Sequence, residues 1–359
     1  SSSRTRSGRT RRPTFAIGGA EELGRSRQLF YADGLNAPRV LVGDAAAMAA
    51  LSAPMPEWTG TNQPRQFVPH QGYNWAFGQA NTPHLLGRSL DTNHQDFTTT
   101  RFAVPIFSGD GEYLAAGCSF KGNLILWKFP EGVYAYDTTA ASSANWYARK
   151  IGVAGIAGPG CFCILENDIL YVDPFGGLHL ISAALEFGNV RSSDISARKL
   201  GRYIPDTVSP GQLPTADLVY YGDKRTALLA CAALGQTTRR LRIGLDVADA
   251  QNVGERWTVE DRDTDQRCLF IRKSSAGVLI PAMGDNVGQV WELDQTTRSK
   301  DGAGYTFEWW THGTDFRQVT GKFLGHKIAA CFLQILYDPR SGAAHTFETW
   351  SDGVKTNTL

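Results

Sequence analysis

The sequence predicts an all-β protein: a β-propeller of about six blades, with an extended basic N-terminal arm and a C-terminal β extension. Three observations lead there. Short apolar runs alternate with turn residues along the chain, and Gly is frequent, at 38 of 359 residues, so many brief strands joined by tight turns follow. Helical periodicity is scarce. Above all, one hairpin-like pattern recurs, starting at residues 27, 73, 122, 167, 225 and 276, with spacings of 46, 49, 45, 58 and 51. A four-stranded propeller blade occupies about 40–50 residues, and such a blade buries its faces only by stacking on its neighbours.

The hairpin units are RQLFYADGLNAPRVLVG (27–43), YNWAFGQANTPHLLGRSL (73–90), GNLILWKFPEGVYAYD (122–137), NDILYVDPFGGLHLI (167–181), RTALLACAALGQTTRRLRIGLDV (225–247) and AGVLIPAMGDNVGQVWELD (276–294). A shift of 45 residues superposes LILWKFPEGVYAYD on ILYVDPFGGLHLIS without a gap. In the fourth unit Pro174 presets the turn, Gly176 or Gly177 takes positive φ, and Asp173 accepts a turn hydrogen bond rather than serving catalysis. A pair of β-sandwiches explains the strands but not the regular spacing. The Trp-Asp and kelch signatures are absent. VGDAAAMAALSAP (42–54) reads as a short helix or an Ala-rich loop. Beyond residue 303 the pattern changes to GYTFEWWTHGTDF, a hairpin over DPRSG and a final turn. The domains are therefore a basic arm (1–26), a propeller (27–302) and C-terminal strands (303–359), which close the ring or form an extra sheet.

Charge is unevenly spread. The net charge is +1, yet SSSRTRSGRTRR holds Arg4, Arg6, Arg9, Arg11 and Arg12 and no acid. Without those five, 31 basic face 35 acidic groups, a body near −4. The arm is a partner-binding candidate with two readings: phosphate contact without sequence readout, or a segment that orders on a protein partner. No apolar segment follows these charges as a secretory signal requires. The longest apolar stretches, such as IAACFLQILY (328–337), fall short of the ~20 residues a membrane helix needs. The expectation is a soluble chain made in a cytoplasm. The six cysteines, Cys118, Cys161, Cys163, Cys231, Cys268 and Cys331, include no second close pair and read as buried free thiols.

Motifs for chemistry fail one by one. GCSFKG (117–122) lacks nucleophile-elbow spacing. TGK (320–322) is followed by Phe323, and Phe316 stands where a P-loop begins with Gly. DRDTD (261–265) has carboxylates at alternate positions, but Gln266 and Arg272 occupy positions that a calcium loop fills with Gly and Glu. The seven histidines show no paired-ligand spacing; His84, Asp91, His94 and Asp96 are the nearest to a metal cluster and read as polar turn residues. No catalytic residue, cofactor or metal ligand is assigned, and the chain is read as a non-enzyme. Trp58, Trp146, Trp309, Trp310 and Trp350 are exposed-aromatic candidates. The adjacent Trp309 and Trp310 cannot both face one side of a strand, so one is a candidate for an interface.

Three segments carry a family resemblance. The hairpin QLFYADGLNAPRVLVG comes first. WAFGQANTPHLLGRSLDTNHQDF (75–97) follows, with Phe77, Gly78, Asn81, Pro83, Leu85, Ser89, Leu90, Asp96 and Phe97 in the matching places. Then comes CFCILENDILYVDPFGGLHLISAALEFGNVRSSDISAR (161–198), with Asn167, Asp168, Leu170, Tyr171, Gly177, Leu178, Leu180 and the Asp194–Ile195–Ser196 step. Over residues 27–200, with a weaker echo to 300, the chain resembles the β-propeller tail nozzle, or packaged-DNA stabilisation, proteins of short-tailed bacteriophages. The resemblance implies a structural virion protein of the tail, assembled in the host cytoplasm as a homo-oligomeric ring, usually six copies. It implies an adaptor (head–tail connector) ring above, and a needle, spike or fibre protein attached. Packaged DNA passes through the lumen without sequence-specific binding, and no membrane or cofactor takes part. The rival expectation is a carbohydrate-binding or carbohydrate-cleaving propeller, since paired carboxylates cannot be picked out of one sequence.

Overall fold

Each of the six hairpins is the second and third strand of one small sheet. The computed structural model describes residues 14–18, 27–43, 45–99, 102–184, 189–194, 203–247, 257–262 and 264–293, with four short strands beyond. The chain divides into two units, Ser1–Thr296 and Thr297–Leu359. The first is nearly all β, six sheets arranged as a six-bladed propeller.

Blade 1 comprises β1 (Thr14–Gly18), β2 (Gln28–Ala32), β3 (Arg39–Val42) and β4 (Ala49–Ala50). Blade 2 has β5 (Gln66–His70), β6 (Tyr73–Phe77), β7 (Leu85–Arg88) and β8 (Phe102–Pro105). Blade 3 has β9 (Tyr113–Phe120), β10 (Asn123–Phe129), β11 (Glu131–Asp137) and β12 (Tyr147–Ala154). Blade 4 has β13 (Phe162–Ile164), β14 (Ile169–Val172), β15 (Leu178–Ala184) and β16 (Asn189–Asp194). Blade 5 has β17 (Asp217–Tyr221), β18 (Thr226–Cys231), β19 (Leu241–Asp246) and β20 (Trp257–Asp261). Blade 6 shows β21 (Cys268–Lys273), β22 (Leu279–Gly284) and β23 (Val290–Glu292). In every sheet the strands pair antiparallel in chain order. First strands lie side by side: β1 packs beside β5, β5 beside β9, β13 beside β17, and β17 beside β21.

The propeller starts earlier than residue 27. β1 lies inside the span read as the arm and pairs with β2 from Thr14↔Ala32 to Gly18↔Gln28. Blade 1 needs an inner strand, and TFAIG supplies one. Among its described residues the Ala-rich stretch at 42–54 holds no helix; it runs as a loop with the two-residue β4 and a bridge from Ala53 to Asp96. A single turn of α-helix, α1 (Tyr203–Thr207), sits between blades 4 and 5.

Packing between blades explains the strongest sequence signal. In β10 every residue from Asn123 to Lys128 is buried. Leu124 and Leu126 join Val68, Trp75 and Phe77 against blade 2, while Ile125 and Trp127 join the cluster that includes Cys163 and Tyr171 of blade 4. A strand buried on both faces reads as one continuous apolar run. The core thus continues from blade to blade. Phe30, Trp58, Phe67 and Phe97 fill the space between blades 1 and 2, and Ala230, Leu269 and Met283 that between blades 5 and 6.

The second unit contributes two hairpins among its described residues. β24 (Ser299–Lys300) pairs with β25 (Ala303–Gly304), and β26 (Glu348–Ser351) with β27 (Val354–Thr358). The expected hairpin over DPRSG lies outside the described residues.

Candidate functional site

The fourth hairpin shows what its carboxylate does. Asp173 Oδ1 accepts from the amides of Phe175 (2.7 Å) and Gly177 (2.8 Å), and Oδ2 lies 2.8 Å from His179 Nε2. Gly176 closes the turn at φ 87°, a conformation open to glycine at little cost. Burial pushes the Asp173 carboxyl up. The bonds from His179, Gly177 and Phe175 outweigh burial and hold it below the usual carboxylate range. Both oxygens are engaged, so the residue locks a turn, as its sequence context predicts.

Blade 6 repeats the device. Asp285 Oδ1 accepts from the amides of Val287 (2.9 Å) and Gln289 (2.8 Å), and Oδ2 from Trp291 Nε1 at 2.8 Å. Gly288 sits at φ 86°. The Trp291 bond is the main cause that lowers the Asp285 pKa. Blade 1 uses a related lock, in which Asp33 Oδ1 accepts from Leu35 and Asn36, each at 2.8 Å. The sequence signal is D-x-x-G-x-x followed by His or Trp, at 173–179 and 285–291. Only the first copy is singled out by the hairpin reading.

These turns join second to third strands, so in a propeller they share one face of the ring. Their tips are apolar and exposed: Leu35 in blade 1, Phe175 in blade 4, Leu234 in blade 5 and Val287 in blade 6. Phe175 is 74% and Val287 73% exposed, so these side chains stand in solvent rather than in the core. Between blades 5 and 6 the same face opens into a cleft of about 480 Å³, lined in part by Arg240, Thr264, Asn286 and Trp291.

Polar contacts bind the blades to one another. Gln66 on β5 donates to Gly117 O (3.0 Å) and accepts from Gly117 N (3.1 Å) on β9. His70 joins Ser119 and Thr138 of blade 3, and its burial lowers its pKa to about 4. Arg239, almost fully buried, donates to Thr215 O and Arg267 O, while its backbone amide donates to Asp265 at 2.8 Å. Lys128 is buried in an ion pair with Asp110 and also donates to Phe107 O at 2.8 Å.

The binding candidates Arg4, Arg6, Arg9, Arg11, Arg12, Trp309 and Trp310 lie outside the described residues. Trp58 and Trp146 are not exposed platforms. Trp58 is 6% exposed and packs on Phe67 and Phe97, and Trp146 meets Tyr73 and Phe102 edge-on and Trp75 at a tilt, around Arg88. His84, Asp91, His94 and Asp96 form no metal set: His94 bonds Gly72 O at 2.9 Å and Asp96 caps the Thr98–Thr99 turn. Among the described residues no group of three His, Cys, Asp or Glu is placed to hold a metal ion. Among the described residues Cys118, Cys161, Cys163 and Cys231 are buried free thiols, whereas Cys268 is exposed; Cys331 lies outside the described residues. Among the described residues no helix is long and apolar enough to cross a membrane.

No family model matches the chain, and no curated protein matches it. Solved structures are similar at low identity. A chain of a mitotic checkpoint complex is 10% identical over 79% of this chain and 78% of that one, with a TM-score of 0.45. A dihydro-heme d1 dehydrogenase, NirN, in complex with DHE is 11% identical over 78% and 55%, with a TM-score of 0.46. Hsv2 of Kluyvelomyces marxianus is 8% identical over 75% and 73%, with a TM-score of 0.40.

Proposed function

We propose that the chain is a structural virion protein, a tail nozzle subunit of a short-tailed bacteriophage. It extends the DNA channel below the portal and adaptor and helps retain packaged DNA. The observation that carries this reading is the tipped face. Its turn carboxylates, Asp33, Asp173 and Asp285, are engaged in holding turns, while Leu35, Phe175, Leu234 and Val287 stand exposed around it. The recurrence of an apolar tip at the same turn of four blades, on one face, gives a partner several anchor points and supports docking there. The order of the three hairpin segments between residues 27 and 200 supports the same assignment.

In this role the blades give stiffness, with the face of one sheet packed against that of the next. Partners are further copies of the chain, the adaptor ring, and a needle, spike or fibre protein. Quantitative mass spectrometry of particles made by the genome that encodes the chain tests the reading. Such particles should contain about six copies each, the number the family resemblance implies. A chain absent from purified particles rejects it.

A further inference from the structure

We propose that the cleft between blades 5 and 6 binds a saccharide. Blade 4 supplies the control that makes the cleft informative. Both turns keep the Asp, the positive-φ Gly and the same hydrogen bonds. Blade 4 builds its turn with Pro174, Gly177 and His179. Blade 6 has Asn286, Gln289 and Trp291 at those three places, and all three line the cleft. The turn lock requires no amide at the first two places; at the third it requires a ring nitrogen against the carboxylate, which His179 supplies in blade 4 and Trp291 in blade 6. The three replacements add what a sugar site uses.

Trp291 is held at both ends. Asp285 Oδ2 fixes its indole N–H at 2.8 Å, and its ring packs against the cluster of Ala230, Leu269 and Met283. A ring fixed in this way loses little freedom when a ligand stacks on it, and an indole suits a partner with apolar C–H faces and polar edges. A pyranose is such a partner. Asn286 and Gln289 carry both donors and acceptors, and Thr238 and Thr264 add hydroxyls, which together match vicinal sugar hydroxyls. A volume near 480 Å³ falls within the usual range for small-molecule sites. Arg240 pairs with Asp261 at 3.8 Å, and Asp265 and Asp285 also line the cleft, so the site shows no preference for an acidic sugar.

The site binds and does not cleave. Glycoside hydrolysis needs one carboxyl as acid and another as base or nucleophile. Asp285 has both oxygens engaged by N–H donors. Asp265 accepts from the Arg239 amide at 2.8 Å, and its other oxygen lies 2.8 Å from Arg267 Nε. This inference rests on the cleft and is independent of the nozzle reading.

The test uses the full chain with glucose, N-acetylglucosamine and glucuronate as probes, followed by saturation-transfer NMR and by tryptophan fluorescence. At least one sugar should bind at millimolar concentration. Asn286→Ala with Gln289→Ala should weaken it by about tenfold or more, as loss of two ligand hydrogen bonds implies, with melting unchanged. If the double variant melts early, Asn286→Ala alone is used, because Asn286 is exposed at the turn. No transfer to any of the three sugars overturns the proposal, and so does binding that survives the turn substitutions.

Discussion

His70 Nε2 lies 2.7 Å from Thr138 Oγ1, and the direction of that bond sets the ring's tautomer. Thr138 donates its own proton to Gln71 Oε1 at 2.8 Å, so Nε2 must donate to Thr138. Nδ1 then accepts from Ser119 Oγ at 2.8 Å. The neutral ring latches blade 2 to blade 3.

A pH dependence follows from that latch. Burial lowers the His70 pKa to about 4 from an ordinary 6.5. The unfolded chain takes up the proton first, so stability is complete above about pH 6.5 and is lost as pH falls through about 4. The expected loss is roughly 3 kcal/mol. Melting curves across that range should show His70→Gln with a lower melting temperature at pH 7 and a flatter decline. An unchanged slope would remove His70 as the cause.

Asp173→Ala strips the blade 4 turn of its acceptors. The amides of Phe175 and Gly177 and the His179 ring lose their partner. Urea denaturation should show about 2–3 kcal/mol of destabilisation, and Asp173→Asn less, since it keeps one oxygen. The lowered Asp173 pKa adds stability that is present above the ordinary carboxylate range. It is lost as pH falls through the depressed value, so the wild type and Asp173→Ala should converge in acid.

The central hairpins were legible because strands such as β10, β11, β14 and β19 are buried on both faces. Outer strands were not. β20, exposed at Thr258, Val259, Glu260 and Asp261, carries no apolar pattern, and β1 hid behind the arginines. Asp173 was read from its own turn. Its equivalent with Trp291 was missed, since the pairing shows only when the two turns are compared. His70 lies 49 residues from Ser119 and 68 from Thr138, separations at which no local spacing rule applies.

Arg88 is held by faces rather than by charge. Its guanidinium carbon lies 4.2 Å from the Tyr73 ring centre, 4.3 Å from Phe102 and 4.9 Å from Trp146. Arg88→Met keeps the aliphatic stem and removes the cation. Chemical denaturation should show a loss of about 1–2 kcal/mol.

Gly117→Ala tests the seam between blades 2 and 3. A Cβ there meets Phe77 Cζ at 2.8 Å and Leu126 Cδ2 at 3.0 Å. Destabilisation of about 1–3 kcal/mol is expected from such overpacking. Gly211→Ala, with nothing within 4 Å, should cost almost nothing in the same assay.

Electron cryomicroscopy of purified particles tests the nozzle assignment most directly. The account predicts a ring of these six-bladed propellers around the tail axis beneath the adaptor, with density covering Leu35, Phe175, Leu234 and Val287. A tail that lacks the propeller, or a ring that leaves all four tips in solvent, contradicts it.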